Sequence, residues 1–452
     1  MPSAPANYRI LLRTPGAAAF YLPAAVGRLG IAMTGIGLVW LMHARTGSYA
    51  AAGVVTGGFA VADAVMGPQL GRLVDRYGQT RVLPCALVAH AAAVALLLTG
   101  AAPDLVAGVL VGATLPQLGA LSAARWSALL SGGPSGTRPG ASTPRSGAST
   151  TEPDASPTPP SISPTPSGGA STPPTSASTL LPAAFALEAL ANGVSYLAGP
   201  ALVSVLGAAG RPRAGVLLAA SLVIGGGLGL AGRRRTAPPV TARAARSRAG
   251  RDALLGPAFV RQAGLGLALG VFFGATQVSV TAYAVGRGTP DAAAPLYLAS
   301  NCTSLLAGWA YGAGRHGGSP HRRQAAAAAC LTLACLPLTF LDAPLAVGAA
   351  LALTGLAVPV LLVLASVLTE ASVPRAVLTQ AFTWGNSASA AGSAAAAALA
   401  GRVVDAGGAH AGFAVAVGAA AVMTVLALGG AVCRREHQRP RVTNATTARK
   451  EP

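Results

Sequence analysis

Charge is scarce in this sequence. Only 10% of its 452 residues are charged, 13 acids against 32 bases, where a soluble domain carries roughly 25%. A water-facing surface needs more charge than that, so an ordinary soluble fold is excluded. Lysine is nearly missing: 31 of the bases are Arg and the single Lys is Lys450. That excludes a phosphate-binding loop ending in Gly-Lys-Ser/Thr. Aromatic residues make up 5% and are not interleaved with the bases, so the net charge of +19 does not read as a nucleic-acid surface. The five cysteines, Cys85, Cys302, Cys330, Cys335 and Cys433, lie in or beside apolar runs. They lack the spacing of a disulfide framework or a zinc site and read as small buried hydrophobes. His-Glu-x-x-His and Gly-x-Ser-x-Gly are absent, so no enzyme, metal or cofactor is expected. The first apolar run starts near Phe20 and is too long for the core of a cleavable signal.

Long apolar runs are abundant. A membrane helix needs about 20 apolar residues. Candidate spans lie near 18–42, 49–70, 80–101, 103–124, 180–207, 213–232, 257–284, 292–315, 323–341, 343–370, 376–403 and 409–433. Ala102-Pro103 and Asp342-Ala343-Pro344 mark tight hairpins, because Pro disfavours helix in the residue before it. With the N-terminus in the cytoplasm, alternation puts 26 bases inside and 5 outside, with Arg28 within the first span. This is the asymmetry of the positive-inside rule, so the charge encodes orientation: a multi-pass protein of a bacterial inner membrane with both termini cytoplasmic. The fold class expected is an all-α membrane protein of twelve transmembrane helices in two pseudo-symmetric six-helix bundles.

Residues 131–179 are almost entirely Ser, Thr, Pro, Gly and Ala and cannot bury enough apolar area to fold. They read as a disordered cytoplasmic insertion. The segment 233–256 carries seven Arg and reads as a cytoplasmic linker along anionic lipid. It divides an N-terminal bundle (1–130 and 180–232) from a C-terminal one (257–433), followed by a tail (434–452). Faint repeats support a duplication. Pro116 and Gly71-Arg72 match Pro359 and Gly314-Arg315 at one offset, and Asn192 matches Asn386 at an offset shorter by about the length of the insertion.

Between the second and third spans stands Gly71-Arg72-Leu73-Val74-Asp75-Arg76-Tyr77-Gly78-Gln79-Thr80-Arg81-Val82-Leu83. Gly71 admits a neighbouring helix backbone and Gly78 permits a sharp turn. Asp75 can accept from a neighbouring helix N-terminus, where the dipole favours an anion. Arg76 and Arg81 can face acids or lipid phosphate. The segment resembles the signature loop of the major facilitator superfamily, Gly-x-Leu-(small)-Asp-Arg-x-Gly-(basic)-(basic)-x-x-Leu. Gln79 and Thr80 depart from its two basic positions, and Arg81 supplies a base one residue later. The resemblance implies a transporter in which Gly71, Leu73, Asp75, Arg76, Gly78 and Arg81 hold the cytoplasmic side closed in one of two states. The second half has Gly318 where this acid would recur. Gly193-Val194-Ser195-Tyr196-Leu197-Ala198-Gly199-Pro200 is similar to the family's antiporter motif, with Ser195 in place of a Gly and the later glycines absent. Gly193, Gly199 and Pro200 form either an export motif or a Pro kink between packed helices.

Ionisable groups in hydrocarbon cost at least about 2.5–3.5 kcal/mol each and are functional candidates. Arg28, Asp63, Glu188 and His90 fall within about one helical turn of one another in depth, all in the first half. Arg28 is expected to pair with Asp63 or Glu188, leaving the other carboxylate free to titrate; a static ion pair that fixes packing is the alternative. A carboxyl held between burial and a nearby cation can take a proton on one side and release it on the other. His90 reads as a hydrogen-bonded buried imidazole. Asn192, Tyr196, Gln277, Asn301, Trp384 and Asn386 are candidates for a substrate pathway that suits a hydrophobic or amphipathic solute. The expectation is a monomeric secondary transporter in the lipid bilayer, exporting a small organic molecule against protons. An importer, the permease subunit of an ATP-driven pump and a non-transporting sensor are the alternatives.

Overall fold

A computed structural model describes residues 5–131, 176–239, 252–289, 292–314 and 316–438. The insertion 131–179, apart from its edges, the middle of the linker 233–256 and the tail beyond 438 lie outside the described residues. Among those described, every regular element is helical. A short helix, α1 (Pro5–Arg13), leads into α2 (Ala17–Thr46), α3 (Tyr49–Tyr77), α4 (Gln79–Thr99), α5 (Asp104–Ala113), α6 (Leu118–Ser131), α7 (Ser176–Ala208) and α8 (Pro212–Gly232). The second half comprises α9 (Pro257–Gly286), α10 (Ala293–Ala313), α11 (Pro320–Cys335), α12 (Pro344–Ser372) and α13 (Leu378–Gln438). Among the described residues, nine stretches are long and apolar enough to cross a membrane. With α10, with α11 extended by the 3₁₀ turn Leu336–Thr339, and with the first arm of α13, twelve transmembrane helices result.

One of the expected spans differs in form. The fourth is not one helix: it breaks at Thr114–Gln117, around Pro116, into α5 and α6. The eleventh and twelfth are found as two helices within α13, joined directly at Gly408, whose φ of 73° is left-handed. A glycine adopts that conformation without steric cost. The hairpins fall where Pro placed them, with Pro103 preceding α5 and Pro344 opening α12. The cysteines correct an expectation: Cys335 is buried, but Cys85, Cys302 and Cys330 are exposed.

Lipid gives no hydrophobic drive for helices to associate, so close backbone approach carries the packing. A Cβ on Gly30 would stand 2.4 Å from the carbonyl of Ala219, joining α2 to α8. One on Gly112 would meet the carbonyl of Phe59 at 2.1 Å, joining α3 to α5. In the second half Gly270 and Gly274 press on the carbonyls of Ser389 and Ser393 in the same way. The halves share a second device at the face away from α1. Arg45, at the end of α2, pairs with Asp104 at 2.6 Å. Arg287, just past α9, pairs with Asp342 at 3.4 Å. Each ties the first span of its half to the loop between the third and fourth.

Candidate functional site

The face that carries α1, Arg76, Arg233 and Arg375 is rich in arginine, and here the halves meet. Asp75, in the last turn of α3, accepts the backbone N–H groups of Thr379 at 3.3 Å and Gln380 at 2.8 Å. These are the first residues of α13, so the carboxylate sits on a helix N-terminus, the placement its chemistry anticipates. Gly71 makes the approach possible: a Cβ there would stand 2.5 Å from Thr383 Oγ1 and 3.0 Å from Gln380 Cα. Gly78 joins α3 to α4 as a single residue at φ 90°. Around this seam Phe185 meets Phe382 edge-on at 5.8 Å, and Ala123, Ala186, Phe259, Val363 and Val377 pack with them. Tyr8 of α1 donates to the carbonyl of Trp309 at 2.9 Å. Burial pushes the Tyr8 phenol from 10.0 up to about 12, so it stays neutral, and this clasp is unchanged at any pH below about 10.

The other residues of the signature loop are placed differently. Leu73 is exposed. Arg76 lies over the ring of Tyr77 at 5.0 Å, and Arg81 is exposed. Gln79, where the resemblance leads one to expect a base, is buried. Its Oε1 accepts from Arg125 Nε at 2.7 Å, and its Nε2 donates to the carbonyl of Leu121 at 3.1 Å. Arg125 is fully buried and also donates to the carbonyl of Arg233 and to Thr236 Oγ1, both at 2.9 Å. A buried cation is thus held by an amide, a hydroxyl and the C-terminal end of α8, where the helix dipole favours positive charge.

Deeper in the first half, Arg28 has chosen Glu188. The two form a buried ion pair, and Arg28 Nη1 also donates to the Glu188 carbonyl at 3.2 Å. Ser122 of α6 donates to the other carboxylate oxygen at 2.6 Å. Asp63 is left to an uncharged partner, accepting from Gln117 Nε2 at 2.7 Å. Gln117 stands directly before α6, at the break, and its carbonyl accepts from Leu121 N at 3.1 Å while its side chain reaches Asp63. The same break offers Thr114 to His90, whose Nδ1 lies 3.3 Å from its hydroxyl. Sequence reasoning missed Gln117, Ser122, Gln79 and Arg125. The signal for Gln117 was an amide directly after a mid-span proline, and Arg125 lay one residue past the boundary drawn for the fourth span.

Of the expected pathway residues, Asn192 and Tyr196 stand four and eight positions beyond Glu188, on one face of α7. Tyr196 is 69% exposed, and close enough to Asp63 and Arg28 to feel both charges. Asn301 lies one turn from Leu305, the residue that meets Gly193 across the halves. The backbone carbonyl of Gln277 accepts from Tyr297, and its side chain is exposed, as are Trp384 and Asn386. α7 passes through Pro200 unbroken. Gly199 serves packing, since a Cβ there would lie 3.2 Å from the carbonyl of Leu29 on α2. Contacts between the halves include Leu305 against Gly193. Beyond it Tyr196 and Val205 of α7 and Leu298 of α10 are exposed.

No family model and no curated protein matches the chain by sequence. Its fold does match solved structures. The human organic anion transporter MFSD10 (TETRAN) superposes with a TM-score of 0.63 at 16% identity, over 94% of this chain and 100% of that one. A bacterial homologue of the iron transporter ferroportin in an outward-facing state gives 0.65 at 11%, over 92% and 99%. The major facilitator transporter FucP in an outward conformation gives 0.60 at 14%, over 91% and 97%. Two six-helix halves, joined at one face by a carboxylate on a helix N-terminus, thus carry the fold of the major facilitator superfamily transporters, as the signature loop had implied.

Proposed function

We propose that this chain is a secondary active transporter that exports a small hydrophobic or amphipathic molecule in exchange for protons, by rocking its two halves. The observation that carries the coupling is the division of labour between the two carboxylates. Glu188 is neutralised by Arg28 and held by Ser122, which makes it a fixed structural charge. Asp63 has only the Gln117 amide, lies at the same depth, and is near the exposed Tyr196 on the open side of the molecule. It is the carboxylate placed to gain and lose a proton.

In this reading the arginine-rich face is cytoplasmic, as the positive-inside rule requires. The structure then corresponds to a state closed to the cytoplasm by Asp75 on α13, Tyr8 on α10 and the Phe185–Phe382 contact. Protonation of Asp63 from outside removes a charge from the cavity and favours the alternative closure. Arg28, Asp63, Glu188, Asn192 and Tyr196 line the route from the first half, and Gln277, Asn301, Trp384 and Asn386 serve it from the second. The protein works as a monomer in the bacterial inner membrane. Export is the direction supported by the likeness of Gly193–Pro200 to an antiporter motif, and a hydrophobic or amphipathic solute by mid-span polar residues of the second half that carry no charge, Gln277, Asn301 and Asn386.

The test is transport by purified protein in vesicles with an imposed pH gradient, screened against a panel of amphipathic compounds. The expected result is solute movement opposite to the proton gradient, abolished in Asp63→Asn. Solute moving with the protons assigns import. Transport that ignores the gradient in wild type removes proton coupling.

A further inference from the structure

Asp63, Gly67, Gly71 and Asp75 recur every four residues on α3 and so form a single stripe down one face of the helix. Its arginine-rich end is the Asp75 contact with α13. Its two glycines are where α13 comes closest: Gly71 against Gln380 and Thr383, and Gly67 against Ser387, whose hydroxyl would lie 3.5 Å from a Cβ on Gly67. Its inner end is Asp63. The seam that closes the molecule and the carboxylate assigned to the proton are therefore two ends of one packed surface.

Gln117 lies on that surface from the other side. Its amide nitrogen would be 3.3 Å from the same Cβ on Gly67, while donating to Asp63 at 2.7 Å. It also borders a cavity of about 20 Å³ that reaches Gly71, Thr379 and Thr383, room for about one water. The side chain thus touches the proton site, the glycine at the middle of the seam and the space beneath the α13 terminus. Its backbone is fixed by the carbonyl's bond from Leu121 N, so the side chain alone is left to turn. We infer that Gln117 is a positioning residue that couples the proton on Asp63 to the α3–α13 seam.

This rests on Asp63 being the proton site. While Asp63 is ionised it accepts the Gln117 N–H, and the amide is held against Gly67 and Ser387. When a proton binds the Asp63 carboxyl, the group gains an O–H donor and keeps one acceptor oxygen; a proton on Oδ1, the oxygen that accepts the Gln117 N–H, turns the amide to offer its own oxygen instead. The packing under the seam then changes. The proton arrives on and departs from the Asp63 carboxyl, and no other bond is made or broken. The charged or titratable groups around this point are Arg28 of α2, committed to Glu188 of α7; Tyr196 of α7; and His90 of α4, beyond Thr114. The facing stretch of α13, residues 379–391, contains none.

The test uses the full chain in lipid nanodiscs, with its cysteines replaced and spin labels at the exposed Arg72 and Arg375. The distance between labels is followed against pH, and the infrared band of the protonated carboxyl lost in Asp63→Asn is followed in parallel. The parent should show both changes with one midpoint. In Gln117→Leu the band should still titrate while the distance ceases to follow it, or follows it with a midpoint displaced by about one pH unit or more, a tenfold change in proton concentration. Gln117→Asn, still an amide but one methylene too short to reach Asp63, should behave alike and guards against a folding defect. Variants whose band and distance keep a common midpoint overturn the relay. A distance that still follows pH in Asp63→Asn removes the proton site itself, and the relay with it.

Discussion

The two halves share a plan and divide the chemistry. Each pairs an Arg at the end of its first span with an Asp at the start of its fourth, and each packs glycine on backbone. Yet Arg28, Glu188, Asp63, His90 and Arg125 are all in the first half. The second half has, at comparable burial, the reciprocal amide pair Gln262–Gln324, at 3.0 and 3.3 Å. The fourth span of each half carries a proline at the repeat-related position, with opposite results. Around Pro116 the helix opens, and its freed polar groups find Asp63 and His90. Around Pro359 the helix α12 continues, and the proline ring packs on Gly308, where a Cβ would lie 3.2 Å from it. A proline thus permits a break but does not compel one. What decides is whether polar partners wait beside it. The buried ion pair and the broken span thus belong to one half, and a buried amide pair to the other.

The sharpest way to probe this asymmetry is to remove one charge of the buried pair. Arg28→Met or Glu188→Leu alone should cost about 3–5 kcal/mol, because the survivor is buried without a partner, whereas the double variant should recover much of it. Gln262→Leu in the neutral half should cost only about 1–3 kcal/mol, the penalty for one stranded amide. Thermal stability of the detergent-purified proteins ranks the four variants. Equal losses in both halves would break the comparison.

Glycine-to-valine changes separate packing within a half from packing between halves. Gly270→Val meets a backbone carbonyl inside the second half and should lower folded yield by several-fold. Gly71→Val should leave the protein folded but unable to close on α13, read as a longer Arg72–Arg375 label distance. Asp75→Asn should weaken the same closure by about 0.3–1 kcal/mol, up to about 2 if the burial there makes the dipole count fully, seen as a population shift in the same measurement. The smallest effect is expected at the far face: Asp342→Asn breaks an exposed pair worth about 0–1 kcal/mol and should leave both stability and pH response nearly unchanged.

Much of this was legible in the residues. Apolar run lengths and the sidedness of Arg gave the spans, because a bilayer imposes both. The signature loop pointed to Asp75 as an acceptor for a helix N-terminus, and the N–H groups of Thr379 and Gln380 meet it there, because a carboxylate in the last turn of a helix is disfavoured by its own dipole and favoured by a neighbour's opposite end. The choice between Asp63 and Glu188 was not legible. It depends on how far α7 is rotated about its axis, which Gly199 against Leu29 and Gly193 against Leu305 decide together. Arg125 and Gln79 were hidden for a related reason: each looks like a loop residue until α8 ends beside it and supplies the carbonyl that completes the group.

The one-residue connection at Gly78 has a mechanical consequence. With no slack between them, α3 and α4 form a single lever, and a push at the α13 contact must reach His90 and the broken span together. An inserted residue there cannot be taken up as loop. It would turn α4 by about 100° relative to α3 and swing Gln79 away from Arg125. The chain that accommodates dozens of extra residues between α6 and α7 should not tolerate one at position 78.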